Sequence, residues 1–522
     1  MKKKQALGSL LALLCTTAFI LAGCSSGQQI TGNSNTSVTS SKGGTLVIVR
    51  QSDITSLDPH FFTDIPTMSI MNNKVYETLV TQDKDMMIKP KLATDWKQLD
   101  DLTWEFKLRE GVLFHDGTPF DAQAILKTFQ RVMDPQVGSS QATDFVMIKE
   151  VTAMNDTTIR ISLKYPFAPL LSVLATTEAS ILNPKVIEQY GKDLAKHVVG
   201  TGPFIFESRT PGDHFVLSKN DKYWGTLPKV DKVMFKVVPE DATRIAMVET
   251  GEAHIAEPLP VTEIERVQAS STMSMYRSEA LGVDFIGFNT RKKPFDDPRV
   301  RQAVSYAINK ESFLSGVYNN IGKLSNAPTS PKVFGYTPDI KGYPYDVNKA
   351  KELLMEAGYA NGFKTTIWTS ELNKERINLA EVIQSQLKGI GIDVEIVVLE
   401  NGAFFEAINS GKHEMVINHW GNATGDADYN QFSLFHSDSF GASGNRFFYS
   451  NPEVDKLIEE GRKETDPAKR EDIYKKTQEM EIEDAVLIPF RVQENLAAVS
   501  KKVKGYWINP VGYSMLNDIY LE

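Results

Sequence analysis

The sequence has almost no cysteine. Cys15 and Cys24 are the only two among 522 residues, and Cys15 lies inside an apolar leader. A chain beginning at Cys24 keeps one thiol and can form no internal disulfide, which excludes a small domain held by a disulfide framework. Long apolar runs are also missing. Beyond the leader no stretch reaches 18 apolar residues, so no lasting transmembrane helix is expected. Nor is there a basic excess: 57 Lys+Arg stand against 66 Asp+Glu, a formal charge of −9. Residues 1–23 hold three lysines and no acid, so the chain from Cys24 onward carries −12. That balance argues against a general nucleic-acid binder, which presents a basic face, though not against a small basic pocket.

Catalytic signatures are equally scarce. There is no GxSxG nucleophile elbow and no GxxxxGK[ST] phosphate loop. His413-Glu414 opens like an HExxH zinc helix, but position 417 is Ile, so the second ligand is missing. The eight histidines are scattered. His413 and His419 fall on one face if their segment is a strand, but two ligands make no metal site. Asp426 and Asp428 invite comparison with a glycosidase carboxylate pair; an Asp-Ala-Asp segment serves more commonly as a turn or a polar ligand contact. No catalytic residue, metal site or cofactor is expected.

What the chain does have begins at its N-terminus. Lys2-Lys3-Lys4 is a charged n-region, and the apolar run Leu10 to Ala22 is too short for a span. It ends in Leu21-Ala22-Gly23-Cys24, the pattern of a bacterial lipobox. Acyl chains on Cys24 would anchor the protein outside the membrane. Residues 25–42 are nearly all Ser, Gly, Asn, Thr and Gln, a composition that cannot offset ordering entropy and reads as a tether of roughly 25 Å.

From Gly43 the pattern alternates strands and helices. Thr45 to Val49 reads as a strand, and a helix is expected near Met68 to Leu79. Asp297 and Pro298 start a helix whose apolar face is Val300, Ala303, Val304, Ala307 and Ile308. Another runs from Asp346 to Gly358. Strands at Thr365–Ser370, Ile392–Leu399 and Glu414–Trp420 then alternate with helices at Arg376–Lys388 and Ala403–Ser410. This order predicts right-handed crossovers and a largely parallel sheet, with ligand beyond the carboxyl ends of the strands, at the loop from Trp420 to Tyr429. Trp104, Trp224, Trp368, Trp420 and Trp507 sit near strand ends or loops, where one or two can line a pocket.

A series of short motifs runs along the chain: Gly43-Gly44-Thr45-Leu46 with Leu57-Asp58-Pro59, then Leu108 to Val112 and Phe114 to Phe120. Val199 to Phe204 with Asn220 to Gly225 follow, and then Gly287 to Thr290 with Pro294 to Ala303. In these motifs and their order the mature chain resembles the family-5 extracellular solute-binding proteins of bacterial peptide ABC importers. The resemblance implies an α/β fold of the two-lobe, periplasmic-binding-protein-like kind (type II, cluster C). Residues 43–281 would form lobe one, with an inserted subdomain over about 82–198. Residues 282–488 would form lobe two, and 489–522 would return to lobe one. Closure of the lobes over a short peptide, delivery to permease subunits with cytoplasmic ATPases, and a monomeric, lipid-anchored binding protein are its functional implications.

The resemblance also suggests ligand contacts. In the dipeptide and oligopeptide branches an Asp three residues after the Trp holds the ligand ammonium, but here that position is Ala423. The pattern Trp420-x-x-x-Thr424-Gly425-Asp426-Ala427-Asp428, with Phe447 to Asn451 and Tyr506 to Pro510, is similar to glutathione-binding members. Asp426 or Asp428 then becomes a candidate for the amine, or a turn cap. Lys374, six residues after Trp368, is the matching candidate for the carboxylate or a solvated charge, with Arg376 beside it. Glutathione-specific binding, nickel or haem chelate binding, pheromone sensing and a secreted hydrolase are the alternatives to general peptide capture.

Overall fold

The computed structural model describes residues 43–62 and 64–522. The leader, Cys24 and the tether lie outside these residues. An eleven-stranded sheet organises the rest. Its order is Ile392–Leu399, Phe363–Ser370, Met415–Trp420, Met273–Phe288, Leu487–Ser500, Ile255–Glu257, Thr45–Arg50, Lys232–Val237, His214–Lys219 and Phe204–Thr210, with the short Lys323–Leu324 strand beside Leu487–Ser500.

The three strands from 363 to 420 pair in parallel, with the helices Lys374–Lys388 and Asn401–Asn409 as crossovers. Parallel pairing does not extend through the sheet. Met273–Phe288 and Leu487–Ser500 are antiparallel to each other and to both flanking strands, so the sheet is mixed. At 16 and 14 residues these two are long because they serve both halves of the sheet. Their register breaks between Glu279 and Val283, and that stretch borders the cavity described below.

Local chemistry sets the element boundaries. Asp297 accepts from the Arg299 amide and caps the helix Pro298–Ala307, which buries Val300, Ala303, Val304 and Ala307. Each buried valine contributes about 1.5–3 kcal/mol. Asp346 caps Val347–Glu356 in the same way. The helix expected over Met68–Leu79 is shorter and earlier, Ile65–Met71. It stops at Asn72, whose ψ of 127° leaves the helical region, and Asn73 then takes a φ of 53°, a left-handed conformation that Asn tolerates.

A separate four-stranded antiparallel sheet, in the order Ala93–Asp100, Thr103–Leu108, Thr158–Leu163, Ile148–Asn155, packs on the helix Ala122–Met133 around Phe106, Phe129 and Ile159. Several motif residues converge where this sheet meets the large one. Buried Glu77 accepts from Thr201 (2.8 Å), Tyr223 (2.7 Å) and Trp224 (2.9 Å), and pairs with Lys91 at 2.9 Å. His115 bonds across to the Gly200 amide and the Gly202 carbonyl. A Cβ at Gly200 would come within 1.9 Å of the Val75 carbonyl, so only glycine permits this approach.

Candidate functional site

The strand Met415–Trp420 ends at the sheet's crevice, and its outgoing loop is built by side chains. Asn422 Oδ1 accepts from the amides of Thr424 (3.0 Å) and Gly425 (2.6 Å), and its amide donates to Asn430 and the Asp426 carbonyl. Gly425 has φ +72°, with Met86 against its α-carbon. The segment expected as a loop to Tyr429 turns into a helix at Ala427–Phe435, capped by Asp426 through the Asp428 amide at 3.0 Å.

Asp426 and Asp428 both face protein cations. Arg470 donates to Asp426 with both terminal nitrogens, at 2.8 and 3.0 Å, and both side chains are buried. Asp428 lies 3.0 Å from Arg462 Nε. Desolvation pushes its carboxyl up to about 6, against the pull of Arg462. Lys374 is exposed on the first turn of Lys374–Lys388. Arg376 turns inward, 2.6 Å from His419 Nδ1 and 3.7 Å from Asp284, whose carboxylate also accepts from Arg491 and Gln493. Trp368 packs beside Phe404, Ile408 and Val416, its indole N–H donating to Thr366. Of the six residues singled out for ligand contact, Trp420 lines the central cavity; Trp368, Lys374, Arg376, Asp426 and Asp428 do not.

That cavity measures about 650 Å³, within the usual range for a small-ligand site. Both halves of the sheet wall it. Arg50, Glu178 and Glu257 stand on one side, Asn418 to Ala423, Tyr429 and Arg446 on the other, with Gln493 to Leu496 and Pro510 to Tyr513 between. Ala423 therefore places a methyl group, not a carboxylate, in the wall.

Several of the lining charges are already matched. Arg50 pairs with Glu257 at 3.1 Å, and Glu257 also accepts from Tyr506 at 2.8 Å and from Ser514. Glu494 pairs with Arg277 and accepts from the Gly322 amide. Two charges are not. Glu178 is 9% exposed, and its Oε2 has no hydrogen-bond partner among the described residues. Burial raises its carboxyl, while the stabilising bonds come from its own backbone and from Thr176. Arg446 donates Nε to Asn409 at 2.7 Å and lies over the Phe405 and Trp420 rings. Desolvation lowers its affinity for the proton, with no carboxylate offsetting it.

His419 adds a neutral donor. Arg376 cannot accept a hydrogen bond, so Nδ1 accepts from it and the ring proton sits on Nε2. Desolvation in the cleft, and then Arg376, push its pKa down to about 4, so the ring stays uncharged at neutral pH while it remains exposed. Reading the sequence alone misses Glu178, Arg446 and His419 as cavity residues. Arg446 was within reach, being the one Arg among the aromatic residues from Phe440 to Tyr449; Glu178 carries no such signal.

A cavity shared by two halves of a sheet, with aromatic walls and charges left unanswered by protein, defines a ligand-binding cleft. The profile of the bacterial extracellular solute-binding proteins, family 5 (middle), matches residues 87–442. The chain is 32% identical over 478 residues to the glutathione-binding protein GsiB of Escherichia coli K12, covering 90% of this chain and 93% of that one. It superimposes on the ABC transporter-associated periplasmic binding protein DppA of Helicobacter pylori, solved with the peptide STSA, with a TM-score of 0.80 and 34% identity over 92% of this chain and 98% of that one. For the Bacillus subtilis oligopeptide-binding protein AppA, solved with a nonapeptide, the TM-score is 0.78 and identity 26%, over 93% and 100%. The chain belongs to the bacterial extracellular solute-binding proteins of family 5. It has the α/β, type II periplasmic-binding-protein-like fold and is an extracytoplasmic solute-binding protein, not an enzyme.

Proposed function

We propose that this protein captures short peptides in the central cavity and delivers them to an ABC permease, working as a monomeric lipoprotein anchored through Cys24. The observation that carries the reading is the 650 Å³ cavity with its Trp420 and Tyr429 wall and its unmatched charges of both signs. A peptide supplies the complement: an apolar and hydrogen-bonding body with one ammonium and one carboxylate. The peptide-bound relatives agree with it.

Capture works by closure of two lobes, 43–281 with the returning 489–522 against 282–488. Contacts that would break on opening support this division. Gln82 donates to the Thr424 carbonyl, Lys332 reaches Asp85, and the Ala168 amide donates to the Arg462 carbonyl at 2.8 Å. A ligand that bridges both walls favours the closed state by its differential affinity for it.

Glutathione-specific capture is the second reading, favoured by the 32% identity to GsiB. Glutathione carries two carboxylates, whereas Arg446 is the unmatched cation of the cavity wall and Arg50 is neutralised by Glu257. The lining charges thus favour a ligand with one carboxylate. The test is uptake: a deletion strain should lose import of labelled tri- and tetrapeptides and regain it with the gene. Unchanged peptide import, with loss of glutathione import, selects the second reading.

A further inference from the structure

Resting on the reading of the cavity as a peptide site, we propose that Glu178 binds the ligand's ammonium and Arg446 its terminal carboxylate, with the peptide backbone laid across Trp420 and Tyr429.

Burial makes Glu178 costly unless something answers it, and the half-buried Arg446 bears a smaller cost of the same kind. A desolvated carboxylate without a cation, and a desolvated guanidinium without an anion, each persist only where a ligand or water repays the lost solvation. Glu178 is nine-tenths buried, its Oε2 is unpartnered, and it lines the cavity. Its local bonds to Thr176 and its own backbone involve no cation. Asp144, pushed up to about 7 by desolvation and then by Glu178, is itself a carboxyl and offers Glu178 no cation. Arg446 keeps its terminal nitrogens for the cavity, because Asn409 takes only Nε. The other charges of the wall, Arg50 with Glu257 and Glu494 with Arg277, are spent on each other.

Aromatic rings stand beside the Arg446 end of the site. The Arg446 guanidinium carbon is 5.9 Å from the Trp420 ring centre, and the Trp420 ring is 5.9 Å from that of Tyr429. Tyr429 and Glu178 both line the cavity. An extended peptide covers at most about 3.3–3.6 Å per residue, so successive residues can lie against successive rings of this row. His419, neutral with its proton on Nε2, supplies a donor for a backbone carbonyl on the way.

The experiment is a double-mutant cycle by calorimetry. Ser-Thr-Ser-Ala, its N-acetylated form and its C-terminal amide are titrated into the wild type, Glu178→Gln and Arg446→Gln. Acetylation should weaken wild-type binding by at least about 30-fold and Glu178→Gln binding by less than about threefold, since both changes delete one interaction. Amidation should pair with Arg446→Gln in the same way. Thermal unfolding of each variant establishes that it is folded, and Glu178→Gln, which removes an unpaired buried charge, should not melt earlier. Equal acetylation penalties in the wild type and Glu178→Gln would overturn the ammonium assignment while leaving the peptide reading intact. Equal amidation penalties in the wild type and Arg446→Gln would do the same for the carboxylate. If no free-ended peptide binds the wild type, the peptide reading itself fails.

Discussion

Asp426 offers a test of how the loop after Trp420 is spent. Its carboxylate caps the helix Ala427–Phe435 and takes both terminal nitrogens of Arg470, and these side chains are only 6% and 7% exposed. Asp426→Asn keeps the cap, because Asn caps as well as Asp. It removes the charge that matches Arg470, leaving a buried guanidinium whose remaining partners are the Gly461 carbonyl and the Tyr474 hydroxyl. Breaking such a pair from one side costs about 3–5 kcal/mol. The unfolding midpoint in denaturant should fall accordingly, with the slope unchanged. Asp426→Asn/Arg470→Met should recover much of the loss, since both charges are then gone. Ligand affinity of the folded Asp426→Asn protein should stay within about threefold of wild type, under about 0.7 kcal/mol. A stability change below about 1 kcal/mol, together with an affinity loss above about 30-fold, would refute the argument and return Asp426 to the ligand.

Three further outcomes are expected. Asp428 has a folded-state pKa of about 6 against an ordinary 3.8, so the folded state holds its proton more tightly; that contribution to stability is complete below about pH 4 and lost as pH rises through 6. Melting curves from pH 4 to 7 should therefore fall more steeply in the wild type than in Asp428→Asn, by about 2 kcal/mol across the window; parallel curves would contradict it. Gln82→Ala removes a hydrogen bond across the closing surfaces, worth about 0.5–1.5 kcal/mol, and should speed ligand release 2- to 10-fold in stopped flow, an unchanged rate counting against closure there. Cys24→Ser should appear in the medium or as an uncleaved precursor on fractionation, and a processed protein still held at the membrane would exclude lipid anchoring.

Much of the fold was legible because periodicity and capping act locally. Val300, Ala303, Val304 and Ala307 are buried as their spacing predicts, and the strands near 365, 392 and 415 form with parallel pairing. The antiparallel pairing of Met273–Phe288 with Leu487–Ser500 was not legible, since the residues it joins lie some 200 positions apart. The site was partly legible. The loop after Trp420 does border the cavity, because crevices form at strand ends. The charges of Asp426 and Asp428 could not be assigned by inspection, because the arginines that answer them come from the separate helices Pro452–Lys463 and Pro467–Glu483. Glu178 lies about 240 residues from Trp420 in sequence, and only the tertiary fold brings it to the same cavity.

The measurement that bears most directly on the account is calorimetry of the mature chain with a ladder of free-ended peptides and with glutathione. Short free-ended peptides should bind at about micromolar dissociation constants or tighter, and glutathione should not bind more tightly than the best of them. Binding of glutathione alone, or silence across the whole peptide ladder, would contradict it.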